Sequence, residues 1–156
     1  MSDNEQNLKQ KPKPKVVTLH CTDTSDEMDY TAANIDAWHK QRGWDKIGYH
    51  YVIRKDGMIE KGRNDYEVGA HVKSHNMVDG NINLGIVWVG RYYITEAQRH
   101  ALLYLYHYIR IKYGIHYDAW FGHCEWDTAN GKTCPNILMD EVRQTFEEHS
   151  SLIPKF

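Results

Sequence analysis

Four side chains in this sequence have the chemistry to hold a metal and work beside it: His20, His123, Lys132 and Cys134. Zinc takes imidazole nitrogen and thiolate sulfur, and a catalytic zinc keeps three protein ligands and one open position. His123 follows Trp120-Phe121-Gly122, which reads as a strand end. Cys134 comes 11 positions later, across a loop containing Asn130-Gly131. That spacing is looser than a Cys-x-x-Cys knuckle, so on spacing alone an unrelated His and Cys fit as well. His20 ends the run Val16-Val17-Thr18-Leu19, where an imidazole can project into a cleft at a sheet edge. A partly buried, hydrogen-bonded histidine would satisfy the same position. Lys132 reads either as a solvated loop lysine or as a cation held beside Cys134. The chain has 10 histidines beside 3 cysteines, and three cysteines cannot all pair, so a disulfide framework is not expected.

These residues need a scaffold, and the hydrophobic pattern supplies one. Val16–Cys21 is a short β-rich run. Residues 31–42 carry helical spacing, with Ile35 and Trp38 on one side and Gly43 as the stop. Residues 49–54 read as a second strand, and Asp56-Gly57 turns the chain into residues 58–61 as a hairpin. Leu84–Val89 is the most apolar run and is predicted to be a central strand. Thr95 and Gln98 form a capping box that opens a helix ending near Gly114. Its predicted buried stripe is Ala101, Leu105, Tyr108 and Lys112, flanked by Leu102 and Ile109. Residues 119–121 give another strand. After Pro135-Asn136 a last helix carries Leu138, Val142 and Phe146 four apart. Strands interleaved with helices, plus a hairpin, predict an α/β (mixed α+β) domain with a central mixed sheet flanked by helices.

At 156 residues with 41% hydrophobic and 26% charged residues, the chain reads as one soluble globular domain able to bury a core. No window suits a transmembrane helix. The polar start, with Lys-Pro-Lys-Pro-Lys at residues 11–15, does not resemble a secretory signal. Residues 1–15 are expected to be a disordered basic tail and residues 16–156 one domain. The tail carries a charge of +2 and the rest −4, against a net charge of −2, so no global basic field points to nucleic acid. Alternation along a strand turns Cys21 away from His20, toward the core, and turns His50 away from Tyr49. Cys124 should likewise turn away from His123.

One ordered series is more specific than any of its parts. It runs Leu19-His20-Cys21-Thr22, Trp38-His39-Lys40, Gly43-Trp44, Gly48-Tyr49-His50-Tyr51, Asp56-Gly57, Gly69-Ala70-His71, Leu84-Gly85-Ile86, Gly122-His123 and Lys132-Thr133-Cys134-Pro135. Over about residues 16–140 it resembles the type 2 N-acetylmuramoyl-L-alanine amidases, closest to their phage branch and more distantly the peptidoglycan recognition proteins. The resemblance implies a zinc in a surface cleft, with His20, His123 and Cys134 as ligands. It implies catalytic roles for Tyr49 and Lys132, and a place for His71 in the substrate groove or against a ligand. Trp44 and Trp126, each in a loop near the cleft, are expected to meet substrate. The implied partner is peptidoglycan, with neither nucleic acid nor an integral membrane, and a monomer is expected. By analogy with that branch, the protein would be made in the cytoplasm and reach the wall on release.

Two features depart from the family pattern. Cys134-Pro135-Asn136 stands where many relatives have Cys-Pro-Gly, and Arg91–Ile94 is shorter than the insertion of many phage relatives. Two other functions fit the same resemblance: a non-catalytic peptidoglycan-binding module, which often lacks the cysteine ligand, and a cytosolic amidase recycling wall fragments, which more often has aspartate there.

Overall fold

The computed structural model describes residues 11–151, so most of the expected basic tail lies outside the described residues. Its centre is the strand that the sequence makes most apolar. β5 (Asn81–Trp88) lies between β1 (Pro14–Cys21) and β2 (Tyr51–Ile53), parallel to both. β6 (Trp120–Gly122) extends the sheet beyond β1 in parallel, and β3 (Ile59–Lys61) closes the other edge as the antiparallel arm of the Asp56-Gly57 hairpin. A two-residue strand, β4 (Met77–Val78), pairs antiparallel with the start of β5. The mixed sheet therefore runs β3-β2-β5-β1-β6, with β4 beside it. β1 begins two residues ahead of Val16, because Pro14 is buried and in register with Ile82.

Side-chain alternation gives the sheet two different faces. Val17, Leu19 and Cys21 of β1 and Leu84, Ile86 and Trp88 of β5 point into the larger core, under α2 (Glu96–Tyr113) and the last helix, α4 (Met139–Ser150). Burying each large apolar side chain there contributes roughly 1.5–3 kcal/mol. Thr18, His20, Asn83 and Gly85 occupy the alternate positions. On that side Val52, Val87 and Val89 pack a smaller cluster with Ile35 of α1 (Ala32–Gln41) and with Ile47. The candidate site residues thus lie beside a small core, backed by a large one.

Both capping boxes are formed. Thr95 accepts from the Gln98 N–H while the Gln98 side chain accepts from the Thr95 N–H, and Thr31 and Asn34 do the same for α1. Gln98 is buried and also donates to Val89 O at 2.9 Å, tying the helix start to the end of β5. The buried stripe of α2 is turned from the expected one. Leu102, Tyr106 and Ile109 face the core with Ala101 and Leu105, because Tyr106 stacks on Phe146 of α4 at 4.3 Å. Tyr108 and Lys112 lie on the exposed side, hydrogen-bonded to each other. Leu138 is the exposed N-cap of α4, and Met139 takes the buried place expected for it beside Val142 and Phe146.

The two departures from the family pattern have simple accommodations. Asn136 adopts φ 59°, the left-handed conformation that asparagine tolerates better than most residues, and donates to Arg91 O. The short segment after Gly90 is held by Asp26, whose carboxylate accepts from the backbone N–H groups of Arg91, Tyr92 and Tyr93. Those donors, that of Arg91 foremost, pull its carboxyl down to about 2.

Candidate metal centre

His20 sits near the C-terminal end of β1 and is 2% exposed. His123 opens α3 (His123–Trp126), a single helical turn straight after β6. Because β6 is parallel to β1, that turn starts at the same end of the sheet as His20. Two backbone contacts deliver Cys134 to the pair. The Cys124 N–H donates to Cys134 O at 2.8 Å, and the Cys21 N–H donates to Cys134 Sγ at 3.2 Å. The Trp88 indole N–H, donating to Pro135 O at 3.0 Å, fixes the chain just beyond. One donor atom from each of His20, His123 and Cys134 then lies within 4.8 Å of the other two. Two imidazoles and a thiol this close fit the ligand set of zinc. Glu125 braces the turn: it accepts from the Gly122 N–H at 2.9 Å and is forked by Arg143 of α4 at 2.7 and 3.0 Å.

The electrostatics favour ligands over bases. Burial, then His71 and His123, hold His20 well below the usual imidazole range. Burial, then Lys132, lowers His123. Both rings are thereby kept neutral, the form that binds a metal. The adjoining Cys21 thiol, then burial, push the Cys134 thiol up, so ionising this sulfur calls for a cation beside it. None of the three cysteines is in a disulfide, and the sulfur next to Cys21 is Cys134 rather than Cys124.

A cleft of about 860 Å³ opens over this cluster. Tyr49, His71, His123 and Lys132 face it, and Trp44 and Trp126 line it as well. The Tyr49 ring lies 5.1 Å from that of His20, and its phenol is pushed up by burial, so it stays protonated. Lys132 is half exposed and pairs with Asp127 at 3.4 Å. Trp126 donates its indole N–H to the buried Thr18 at 2.8 Å and stacks on His75 at 4.9 Å. Trp44 packs on His39 at 4.5 Å, and His39 accepts the Gly48 N–H just before Tyr49. His71 lies 2.9 Å from His20 and 2.8 Å from Asn83 O, through its two ring nitrogens. His50 turns away from the cleft, accepting from the Gly85 N–H and reaching Glu67 O at 2.8 Å.

All eight residues singled out in the sequence therefore meet in one place. Missing from that reading are Asp127, which holds Lys132, and Thr18 and Asn83, which brace Trp126 and His71. Thr18 was within reach, since alternation puts it on the His20 face. Asn83 was not, because its partners lie on other segments.

Comparison with known proteins gives the family and the fold. Residues 10–137 match the family model for N-acetylmuramoyl-L-alanine amidase. The endolysin of Klebsiella phage KP32 is 35% identical over 105 residues, 62% of this chain and 67% of its own. The endolysin of Escherichia phage T7 is 34% identical over 83 residues, spanning about half of each chain (53% and 52%). Among solved structures, the N-acetylmuramoyl-L-alanine amidase LysC from Clostridium intestinale superposes with a TM-score of 0.72 at 32% identity, covering 88% of this chain and 86% of that one. Drosophila PGRP-LB shares the fold, with a TM-score of 0.65 at 24% identity. The chain belongs to the N-acetylmuramoyl-L-alanine amidase family.

Proposed function

We propose that this protein is a zinc-dependent amidase of the phage endolysin type. Its reaction is hydrolysis of the amide joining the lactyl carbonyl of N-acetylmuramic acid to L-alanine in peptidoglycan. The observation that carries the reading is the convergence of His20, His123 and Cys134 beneath an open cleft that also holds Tyr49 and Lys132. Zinc held by those three residues supplies Lewis acidity and makes water a competent nucleophile near neutral pH.

The chain's own groups account for the rest. The Lys132 ammonium, steadied by Asp127, is placed to stabilise negative charge growing on the carbonyl oxygen. Tyr49 keeps its phenolic proton and can donate it, either to orient the carbonyl or to meet the departing amine. Trp44 and Trp126 present apolar ring faces on the cleft walls, suited to sugar rings or to the lactyl-peptide stem. Arg42 and Lys73 add positive charge to the rim, which suits a stem peptide rich in carboxylates. Among the described residues no helix is long and apolar enough to cross a membrane.

Incubating the purified protein with bacterial sacculi should release L-alanine amino termini and solubilise wall material, and a chelator should stop both. Wall binding without amine release, with zinc present, would instead favour a binding module. Preference for soluble anhydro-muropeptides over sacculi would favour a recycling role.

A further inference from the structure

The hydrogen-bond order around His71 is fixed from one end. Asn83 O is a carbonyl and can only accept, so His71 Nε2, 2.8 Å away, must carry a hydrogen. A neutral imidazole has one N–H, so His71 Nδ1 is left with a lone pair. His20 Nε2, 2.9 Å from that lone pair, must then be the donor. His20 in turn is left with its lone pair on Nδ1.

We propose that His71 is a positioning residue that selects the tautomer of His20, presenting Nδ1 to the metal before any metal arrives. This role rests on the metal reading given above. Several features show a site built to hold the ring rather than a chance contact. The His71 ring stands at 87° to that of His20. It lies over two glycines: a Cβ at Gly69 or at Gly85 would come within 2.6 Å of it. Gly85 occupies the same sheet face as His20, so the missing side chain on β5 is the space that the His71 ring fills. The backbone N–H groups of His71 and Val72 both donate to Asn76 Oδ1, at 2.9 and 3.0 Å. Asn83 is secured too: its side chain accepts from Thr18 at 2.8 Å and donates to His75 O at 2.9 Å. The relay ends on a β5 carbonyl, which neither titrates nor changes its donor–acceptor sense. Outer partners of this kind orient ligand imidazoles in metal proteins generally.

The test reads the ring nitrogens directly. Long-range ¹H–¹⁵N spectra of the zinc-free protein should show His20 as the Nε2–H tautomer. Zinc affinity should be measured by competition with a chromophoric chelator. His71→Ala should lose the tautomer preference and bind zinc roughly 10–100-fold more weakly. His71→Asn, whose side-chain oxygen can take the place of Nδ1 as acceptor, should keep the Nε2–H tautomer and recover most of the affinity. An Nδ1–H tautomer in the zinc-free wild type would overturn the proposal. So would wild-type zinc affinity in His71→Ala, or an affinity in His71→Asn as low as in the alanine variant. Failure of the wild type to bind zinc at all would overturn the metal reading itself, a result distinct from normal binding with the wrong tautomer.

Discussion

The backbone N–H of Cys21 donates to Sγ of Cys134 at 3.2 Å, joining two residues separated by 113 positions. The contact belongs to the main chain of β1, so it does not need the Cys21 thiol. Cys21→Ala is therefore expected to retain about one equivalent of zinc, whereas Cys134→Ser should purify with almost none and release no amine from sacculi. Metal analysis of the two variants beside wild type decides this.

Lys132 lies in the cleft without belonging to the ligand set. Lys132→Ala should keep its zinc and lose roughly 10²–10³-fold in kcat, the usual cost of removing one stabiliser of an oxyanion. Full activity in this variant would remove the lysine from the mechanism.

Thr18 is fully buried, donating to Asn83 Oδ1 at 2.8 Å and accepting the Trp126 indole N–H at 2.8 Å. Thr18→Val keeps the shape and deprives both partners. With a buried polar group left unpaired at about 1–3 kcal/mol, denaturant unfolding should show a loss in that range or above it. KM should rise as well, because Trp126 loses its anchor on the cleft wall.

Gly85→Ala would drive a methyl group into the His71 ring. Strain of this kind typically costs about 1–3 kcal/mol. The variant should unfold at lower denaturant concentration and bind zinc less tightly, although every hydrogen-bonding side chain is retained. Both readouts come from one titration series with and without chelator.

Acid should weaken the fold before the carboxylates titrate. His50 is fully buried, and burial depresses its pKa from 6.5 to about 4. The unfolded chain therefore binds this proton first as pH falls. The stability tied to His50 is complete above about pH 6.5 and is lost progressively down to about pH 4, at roughly 1.4 kcal/mol per pH unit. His71, held down to about 3 by burial, acts with the same sign. His50→Gln can accept from Gly85 and donate to Glu67, so it should flatten the slope of stability against pH by about one proton. Chelator in every sample keeps metal release out of the measurement.

Much of this architecture was legible because its signals are local. The capping box at Thr95 and Gln98, the Asp-Gly hairpin and the apolar run of β5 each depend on neighbours a few residues apart. Alternation along β1 separated His20 from Cys21 correctly. The rotation of α2 was not legible, because the stacking of Tyr106 on Phe146 that sets it is a tertiary contact. β4 is too short to leave a periodic trace. Within the site, residue types and order indicated His20, His123 and Cys134, but their meeting depends on a parallel β1–β6 pair and on the contacts that seat Cys134. The role of Asn83 rests on its backbone carbonyl, which no residue type advertises.

The parallel pairing of β1 with both β5 and β6 also sets a timetable. β1 is the first of these strands to leave the ribosome, yet both its neighbours are made much later, and Cys134 and Arg143 later still. Such distant pairings form slowly, since the intervening chain must be closed before any contact rewards it. His20 thus emerges early and waits, without its companions, until Cys134 has been synthesised. A nascent chain that stops short of Cys134 cannot bring the three candidate ligands together. Strand order thus sets a delay on the candidate site: its first side chain is made more than a hundred residues before its last.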